Sequence, residues 1–160
     1  EAGMTKQNRW FKEIVMPALL RHARTTYGAA MRKALTQAGC DDVPKNGLYI
    51  IGGLALGAGD APLGQLVKEL GVSKQAAGQL VDTLVLRGYL ERVVDEEDRR
   101  KLTVTLTARG RMAAAAQAAA RAAIDAELLA RVGAENIKRT RETLGALIEM
   151  HHESGADGDH

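Results

Sequence analysis

Two glutamines, Gln75 and Gln79, stand four residues apart in the segment LGVSKQAAGQLVDTLVLRGYL. In a helix this spacing places both side chains on one face, near the helix N-terminus. A glutamine amide both donates and accepts hydrogen bonds, which suits the edge that adenine presents in the major groove of DNA. Ser73 and Lys74 precede them at the positive end of the same helix, where a phosphate can be held. We predict a face that contacts nucleic acid, with an ordinary exposed helix surface as the alternative.

A second candidate for phosphate contact is the charged segment from Asp95 to Arg111. Between Arg99 and Arg111 the chain has five basic residues and no acidic one. Local clusters of this kind, more than the total charge of +2, form the footprint of a phosphate-binding surface. The alternative is a solvated charged turn, because the residues from Asp95 to Asp98 are all acidic and would repel DNA.

The elements that must position these residues are two short helices and a hairpin. The apolar spacing predicts a helix from Leu63 to Leu70, a turn at Gly71-Val72, and a second helix that Ser73 caps and that ends near Arg87. Five apolar residues of the second helix are predicted to face inward: Ala77, Leu80, Val81, Leu84 and Val85. Alternating leucine or valine with threonine then predicts a hairpin from strands 89–94 and 101–107.

Helical patterns flank this central region on both sides. One helix is predicted over about 6–37, bent at Pro17, and another over about 45–56. After Ala108 an alanine-rich helix follows, and beyond a break at Gly133 the pattern continues over 135–152. The terminal helices carry more apolar surface than so small a centre covers, which predicts a two-fold dimer. A three-helix core with loose arms is the alternative.

Composition limits the remaining classes. Few aromatic residues and many alanines and leucines indicate a mainly helical protein with an aliphatic core. Cys40 is the single cysteine, which excludes an intrachain disulfide and fits a reducing compartment, and it has no cationic neighbours that would make it reactive. No signal segment or membrane span is recognisable, so we expect a soluble cytoplasmic protein with no membrane partner.

Signals for catalysis or for a cofactor are weak. The sequence contains no Ser/His/Asp spacing, no P-loop and no dinucleotide-binding glycine pattern. His151 and His152 are consecutive and diverge around a helix, which does not make a metal pair. We therefore expect no enzyme activity, no cofactor and no metal site.

The segment LGVSKQAAGQLVDTLVLRGYLER, followed by Asp98-Arg99-Arg100 and by Leu106-Thr107-Ala108-Arg109-Gly110, resembles the winged helix-turn-helix of the MarR family of bacterial transcriptional regulators. The resemblance covers roughly residues 45–111. Its more specific half is the Asp-x-Arg at the hairpin tip and the closing Leu-Thr-x-x-Gly. It implies a mainly α fold with a small β-hairpin wing, in which the N- and C-terminal helices form a dimerisation domain.

The resemblance also implies roles for named residues. Ser73, Lys74, Gln75, Gly78 and Gln79 would contact DNA from the recognition helix, and Arg100 would enter the minor groove from the wing. Asp98 can pair with the Arg100 guanidinium and orient it, while Arg99 and Lys101 would touch phosphates. The sequence departs from the family pattern at Gly78, where Ser or Thr is common, and at Gln79 and Thr83, where Arg is common. Fewer arginines in the helix shift the expected affinity toward the wing.

We predict the following organisation: helical dimerisation regions at 4–38 and 112–153, a DNA-binding domain at 44–111, and a disordered tail at 154–160. By resemblance, a small aromatic or anionic effector would bind between arm and DNA-binding domain. Its candidate wall residues are Trp10, His22, Arg24, Tyr27 and Tyr49, each of which could equally be plain core or interface.

The sequence thus predicts a homodimeric regulator that binds a near-palindromic site in double-stranded DNA, most simply as a ligand-responsive repressor. The competing class is a winged-helix module that uses the same helix face to bind a partner protein. Salt dependence distinguishes the two, because neutralising phosphates releases counterions and a protein–protein contact need not.

Overall fold

The computed structural model describes residues 10–57, 63–94, 96–98 and 102–156. Along these residues the fold is mainly helical with one antiparallel hairpin, as the sequence predicted. A short 3-10 turn at Trp10–Lys12 comes first. The elements that follow are α1 (Met16–Gln37), α2 (Gly47–Leu56), α3 (Leu63–Leu70), α4 (Lys74–Leu86), β1 (Leu90–Val94), β2 (Leu102–Leu106), α5 (Ala108–Val132) and α6 (Ala134–Ala156).

The first helix begins later than predicted. In place of one helix bent at Pro17, the chain has the 3-10 turn and then α1, with Pro17 in its first turn. A proline has no N–H to donate, and a first-turn N–H has no partner inside the helix, so proline is accepted there rather than in the interior. Helix α2 also starts at Gly47 rather than at Lys45, because Asn46 has left-handed backbone (φ 65°) and cannot continue a right-handed helix.

The predicted pair of short helices is present as α3 and α4. Gly71, at φ 66°, makes the turn between them in a conformation that favours glycine. Ser73 caps α4 by accepting a hydrogen bond from the Ala76 amide at 3.1 Å, as predicted. Of the five predicted inward residues, three are buried and Leu80 and Val85 pack against the core. Helix α4 is therefore held along one face.

The hairpin has the predicted alternation. Leu90 pairs with Leu106 and Val94 with Leu102 across an antiparallel register. Val104 and Leu106 are buried, whereas Thr103 is exposed. The Leu102 side chain lies outside the described part of the chain.

The strand β2 joins α5 through a tight connection around Thr107. The Thr107 hydroxyl donates to the Gly88 carbonyl at 2.5 Å and accepts from the Gly110 amide at 3.0 Å, which caps α5. At Gly110 the backbone passes very close to the residue that precedes β1, since a Cβ there would lie 2.1 Å from the Tyr89 carbonyl oxygen. The Leu-Thr-x-x-Gly sequence thus forms a tight, hydrogen-bonded connection between the hairpin and α5.

The core lies among α1, α2, α4, the hairpin and the start of α5. Its fully enclosed side chains include Ile50, Leu54, Leu84 and Tyr89. Cys40 belongs to the same cluster, and its thiol contacts the Ala38 carbonyl oxygen at 3.7 Å.

The chain divides into two compact units, residues 1–121 and 122–160. In the second unit α6 continues to Ala156, three residues into the segment predicted as a tail. Ser154 is part of this helix and its hydroxyl donates to the Met150 carbonyl at 2.9 Å. None of the described helices is long and apolar enough to cross a membrane.

Candidate nucleic-acid interface

Helix α4 has one anchored face and one open face. Ala77, Val81 and Leu84 are buried on the anchored side. The open side carries the helix residues that the sequence predicted for DNA contact, and each of them is exposed: Ser73, Lys74, Gln75, Gly78 and Gln79. A Cβ added at Gly78 would meet nothing within 4 Å, so the packing of the fold does not require a glycine at this position. The structure therefore brings the predicted helix residues together on one accessible surface.

The predicted wing residues are only partly described. Asp98 is half-buried at the hairpin tip. Arg99, Arg100 and Lys101 lie outside the described residues, so the predicted Asp98–Arg100 pair stays a prediction.

An ion pair that sequence reasoning missed connects the helix to the hairpin. The Arg92 guanidinium, on β1, contacts the Asp82 carboxylate on the open side of α4. Asp82 stands one turn beyond Gly78 and adds a negative charge to this side. No sequence spacing rule relates the two residues, because one lies on a helix and the other on a strand. The pair connects β1 to the exposed side of α4.

A second group that was missed joins the connector between α1 and α2, the residue before β1 and the start of α5. Asp42 accepts hydrogen bonds from the Tyr89 hydroxyl and, at 3.0 Å, from the Arg109 guanidinium. Arg109 also lies 4.4 Å from the centre of the Tyr89 ring and donates to the Gly39 carbonyl at 3.3 Å. The sequence signal for this group was Arg109, which lies within the Leu-Thr-x-x-Gly motif. The role of Arg109 here is structural.

These contacts shift two pKa values in opposite directions. The Tyr89 hydrogen bond, helped by the charge of Arg109 and opposed by partial burial, holds the pKa of Asp42 below its ordinary value of 3.8. Burial and the hydrogen bond to Asp42 raise the pKa of Tyr89 above its ordinary value of 10.0. The carboxylate stays charged and the phenol stays a donor at neutral pH, which keeps the contact intact.

The predicted effector residues do not all meet. Arg24, Tyr27 and Tyr49 line one open depression of about 550 Å3 between α1 and α2. Trp10 and His22 are not in its wall; their rings contact each other edge to face, with centroids 4.9 Å apart. The structure thus brings three of the five predicted residues together, and their contact with an effector stays a prediction.

Tyr49 already has a partner in α3. Its hydroxyl donates to the Glu69 carboxylate at 2.5 Å. This hydrogen bond, with burial and the charge of Glu69, raises the pKa of Tyr49 above its ordinary value of 10.0. The depression is therefore bordered by a contact between the helix α2 and the helix-turn-helix.

A second cavity, which the sequence did not predict, lies between α2, β2 and α5. Its volume is about 530 Å3 and Gln117 of α5 is in its wall. Gln117 is only 7% exposed, and its Oε1 atom has no hydrogen-bond partner among the described residues. Groups of three or more His, Cys, Asp or Glu side chains that could hold a metal are absent from the described residues.

Comparison with known proteins identifies the central region. Residues 46–101 match the family model of the MarR family. No curated protein matches the chain. The fold is similar to that of the MarR family transcription regulator SP03579, with a TM-score of 0.69 at 19% identity, covering 89% of each chain.

Two structures of MepR from S. aureus also share the fold. A mutant bound to an oligodeoxyribonucleotide gives a TM-score of 0.53 at 17% identity, covering 86% of this chain and 99% of that one. MepR bound to ethidium bromide gives 0.56 at 18%, covering 87% and 98%. The resemblance stated from the motifs, and the winged-helix fold class, are confirmed.

Proposed function

Starting from a winged helix of the MarR family, we propose that this protein is a transcriptional regulator that binds a near-palindromic operator as a homodimer and releases it when an effector binds. The observation that carries the proposal is the division of α4 into a core-packed face and an exposed polar face. A helix held in this way presents side chains to a major groove without losing its own packing.

On this proposal the recognition helix α4 and the wing contact different parts of the DNA. Lys74 and the capped N-terminus of α4 hold phosphates, while Gln75 and Gln79 read base edges. Arg100 enters the neighbouring minor groove from the wing, flanked by Arg99 and Lys101 on phosphates. The MepR mutant solved with an oligodeoxyribonucleotide supports DNA as the partner of this fold.

The homodimer is supported by the surface of the second unit. Leu147, Ile148 and Met150 of α6 are between 47% and 62% exposed, which is a large apolar surface for a monomer. A two-fold pairing would bury this same surface on both copies of the chain. The two recognition helices must then stand about 34 Å apart to meet successive major grooves.

The effector is supported by the depression that Arg24, Tyr27 and Tyr49 line, and by the MepR structure with ethidium bromide. A small aromatic or anionic molecule held there would favour a state in which the spacing of the recognition helices no longer fits the duplex. Such a protein binds chromosomal DNA in the cytoplasm. It acts as a repressor, and binding of its ligand relieves the repression.

Fluorescence anisotropy with labelled duplexes from the upstream region of its own gene tests the proposal. We expect binding that weakens steeply with salt, because phosphate contacts release counterions. No anisotropy change at any salt concentration would exclude DNA as the partner and favour the protein-interaction module.

The wing is tested by Arg100→Ala, which should weaken DNA binding about tenfold or more while the dimer stays intact. Arg131→Ala, which removes an exposed arginine of the second unit, is the matched control and should bind DNA as the wild type does. Unchanged affinity of the Arg100 variant would exclude the wing from the contact.

A further inference from the structure

Helix α2 contacts α3 at two points that follow one another along both helices. Tyr49 and Gly53 share one face of α2, because they stand four residues apart. Leu66 and Glu69 share one face of α3 in the same way, at a spacing of three. Leu66 packs against Gly53, which we call the inner contact, and Tyr49 bonds to Glu69, which we call the outer contact. Two contacts about one helical turn apart hold the orientation of α3 as well as its distance from α2.

The inner contact is apolar and closed. Leu66 is only 8% exposed and belongs to the core cluster. A Cβ at Gly53 would lie 2.5 Å from the Leu66 Cδ2 atom and 2.9 Å from its Cδ1 atom. Non-bonded carbon atoms pack at about 3.5–4.0 Å, so Leu66 reaches this depth only because residue 53 has no side chain. A movement of α3 that leaves the core intact must therefore turn about the inner contact.

The outer contact is polar and open to solvent. The Tyr49 hydroxyl donates to the Glu69 carboxylate at 2.5 Å, and both residues are exposed. Water competes for both partners, so this hydrogen bond opens at a much smaller cost than the buried packing of Leu66. Tyr49 also lines the depression between α1 and α2, together with Leu70, the last residue of α3. The outer contact thus lies at the edge of that depression.

We propose that the outer contact is a latch and the inner contact a pivot, so that opening the outer contact lets α3 turn and displaces the exposed face of α4. The displacement reaches α4 because only the tight turn at Gly71 separates the two helices. This inference rests on the proposed function and adds how the depression is coupled to the recognition helix. Tyr49 and Glu69 are then positioning residues that do not touch DNA. When the outer contact is open, fewer molecules have the binding geometry, and the apparent affinity falls in proportion.

Amide hydrogen exchange of the full chain without DNA tests the latch itself. Tyr49→Phe removes the hydroxyl and keeps the ring, so the amides of α3 should exchange about fivefold faster while those of α5 keep their rates. Thr25→Val is the matched control: it removes a hydroxyl from the same depression, and that hydroxyl bonds to the Arg21 carbonyl within α1. Unchanged exchange in α3, or equal effects of the two variants, would overturn the proposal whether or not the protein binds DNA.

DNA binding distinguishes a latch from a surface charge. If Glu69 acted only as an exposed negative charge, Glu69→Ala would strengthen binding to phosphates. As part of the latch, Glu69→Ala and Tyr49→Phe should each weaken binding about fivefold with an unchanged salt dependence, and the double variant should bind no more weakly than either. Stronger binding by Glu69→Ala, or additive effects, would overturn the proposal. If the wild type binds no duplex, the proposed function fails, and hydrogen exchange still decides the latch.

The pivot is tested by thermal unfolding. Gly53→Ala should lower the melting temperature by roughly 5 °C, because the added Cβ meets Leu66. Leu66→Val removes the two Cδ atoms that face residue 53, so the double variant should recover part of this loss. Gly64→Ala, in α3 with nothing within 4 Å, is the control and should cause no loss. No recovery in the double variant would show that Gly53 and Leu66 do not form the inner contact.

Discussion

The two units differ in how far their own packing covers their apolar side chains. In the first, Ile50, Leu84 and Tyr89 are completely enclosed. In the second, no residue described between 122 and 154 is buried. Six of its large apolar side chains are at least 40% exposed: Leu128, Leu129, Val132, Leu147, Ile148 and Met150. The first unit exposes some large apolar side chains too, such as Leu56 and Leu86, but it has an enclosed core of its own. The second unit has no enclosed core among its described residues, so its apolar side chains lack cover within the unit.

Local contacts within the second unit do not make up for this difference. Its helices are supported by ion pairs at i,i+4 spacing, such as Arg139 with Glu135 at 3.2 Å and Lys138 with Glu142 at 4.0 Å. Each such exposed pair contributes about 0.3–0.5 kcal/mol. That is far less than the burial of one large apolar side chain, which contributes about 1.5–3 kcal/mol. The stability of these helices therefore depends on what covers their apolar side.

The largest effect on the first unit is expected from Gly110→Ala. The added Cβ would lie 2.1 Å from a backbone oxygen, which cannot move as a side chain can. We expect a loss of about 3 kcal/mol in the free energy of unfolding, measured by urea denaturation. Gly78→Ala is the matched control: with nothing within 4 Å, it should stabilise the helix by up to about 1 kcal/mol. Equal stability of the two variants would contradict the close approach at Gly110.

For the second unit the corresponding change is Ile148→Glu. Ile148 is 59% exposed, so the variant should fold, but a dimer that buries it loses about 1.5 kcal/mol per copy. Two copies correspond to on the order of 100-fold weaker dimerisation. Sedimentation equilibrium measures this. Leu86→Glu, at an 86% exposed position of the first unit, should not affect dimerisation; a monomeric wild type, or equal effects of both variants, would disprove the contrast between the units.

The elements of the first unit could be predicted because each has a local signal. The spacing of Leu84 and Val81, the Ser73 cap and the alternating threonines of β2 determine α4 and the hairpin without distant contacts. The predicted start of α1 was wrong because the spacing around Pro17 fits both a bent helix and a proline in the first turn. Only the path of the preceding chain distinguishes the two.

The site was less predictable, because several of its contacts join residues far apart in the sequence. Asp42 meets Tyr89 and Arg109 across most of the first unit, and nothing in the periodicity marks that meeting. Likewise, Gln117 looks like a surface residue of an alanine-rich helix until Gly52 is placed against it. Aromatic and basic residues of the first helix were grouped into one pocket by type, although the structure divides them.

A smaller and more specific effect is expected from Gln79→Ala. The residue is exposed, so fold and dimerisation should be unchanged, while discrimination against a wrong base falls by about 1–2 kcal/mol. Competition binding against operators with single base changes measures this. Gln37→Ala removes an exposed glutamine at the end of α1 and should leave the preference as it is. If Gln79→Ala weakened all sequences alike, Gln79 would contact the backbone and not a base.

The smallest effect concerns how the stability of the first unit depends on pH. Because the folded state holds the pKa of Asp42 below 3.8, it binds fewer protons there than the unfolded chain does. The stability that Asp42 contributes is fully present above the unfolded pKa of 3.8. It is lost as the pH falls through the lower pKa of the folded state. Asp42→Asn should therefore be less stable than the wild type at neutral pH, with the difference shrinking below about pH 4. Urea denaturation across this range measures it, with the exposed Asp41→Asn as the control. A constant difference at every pH would mean that Asp42 acts through packing rather than through its charge.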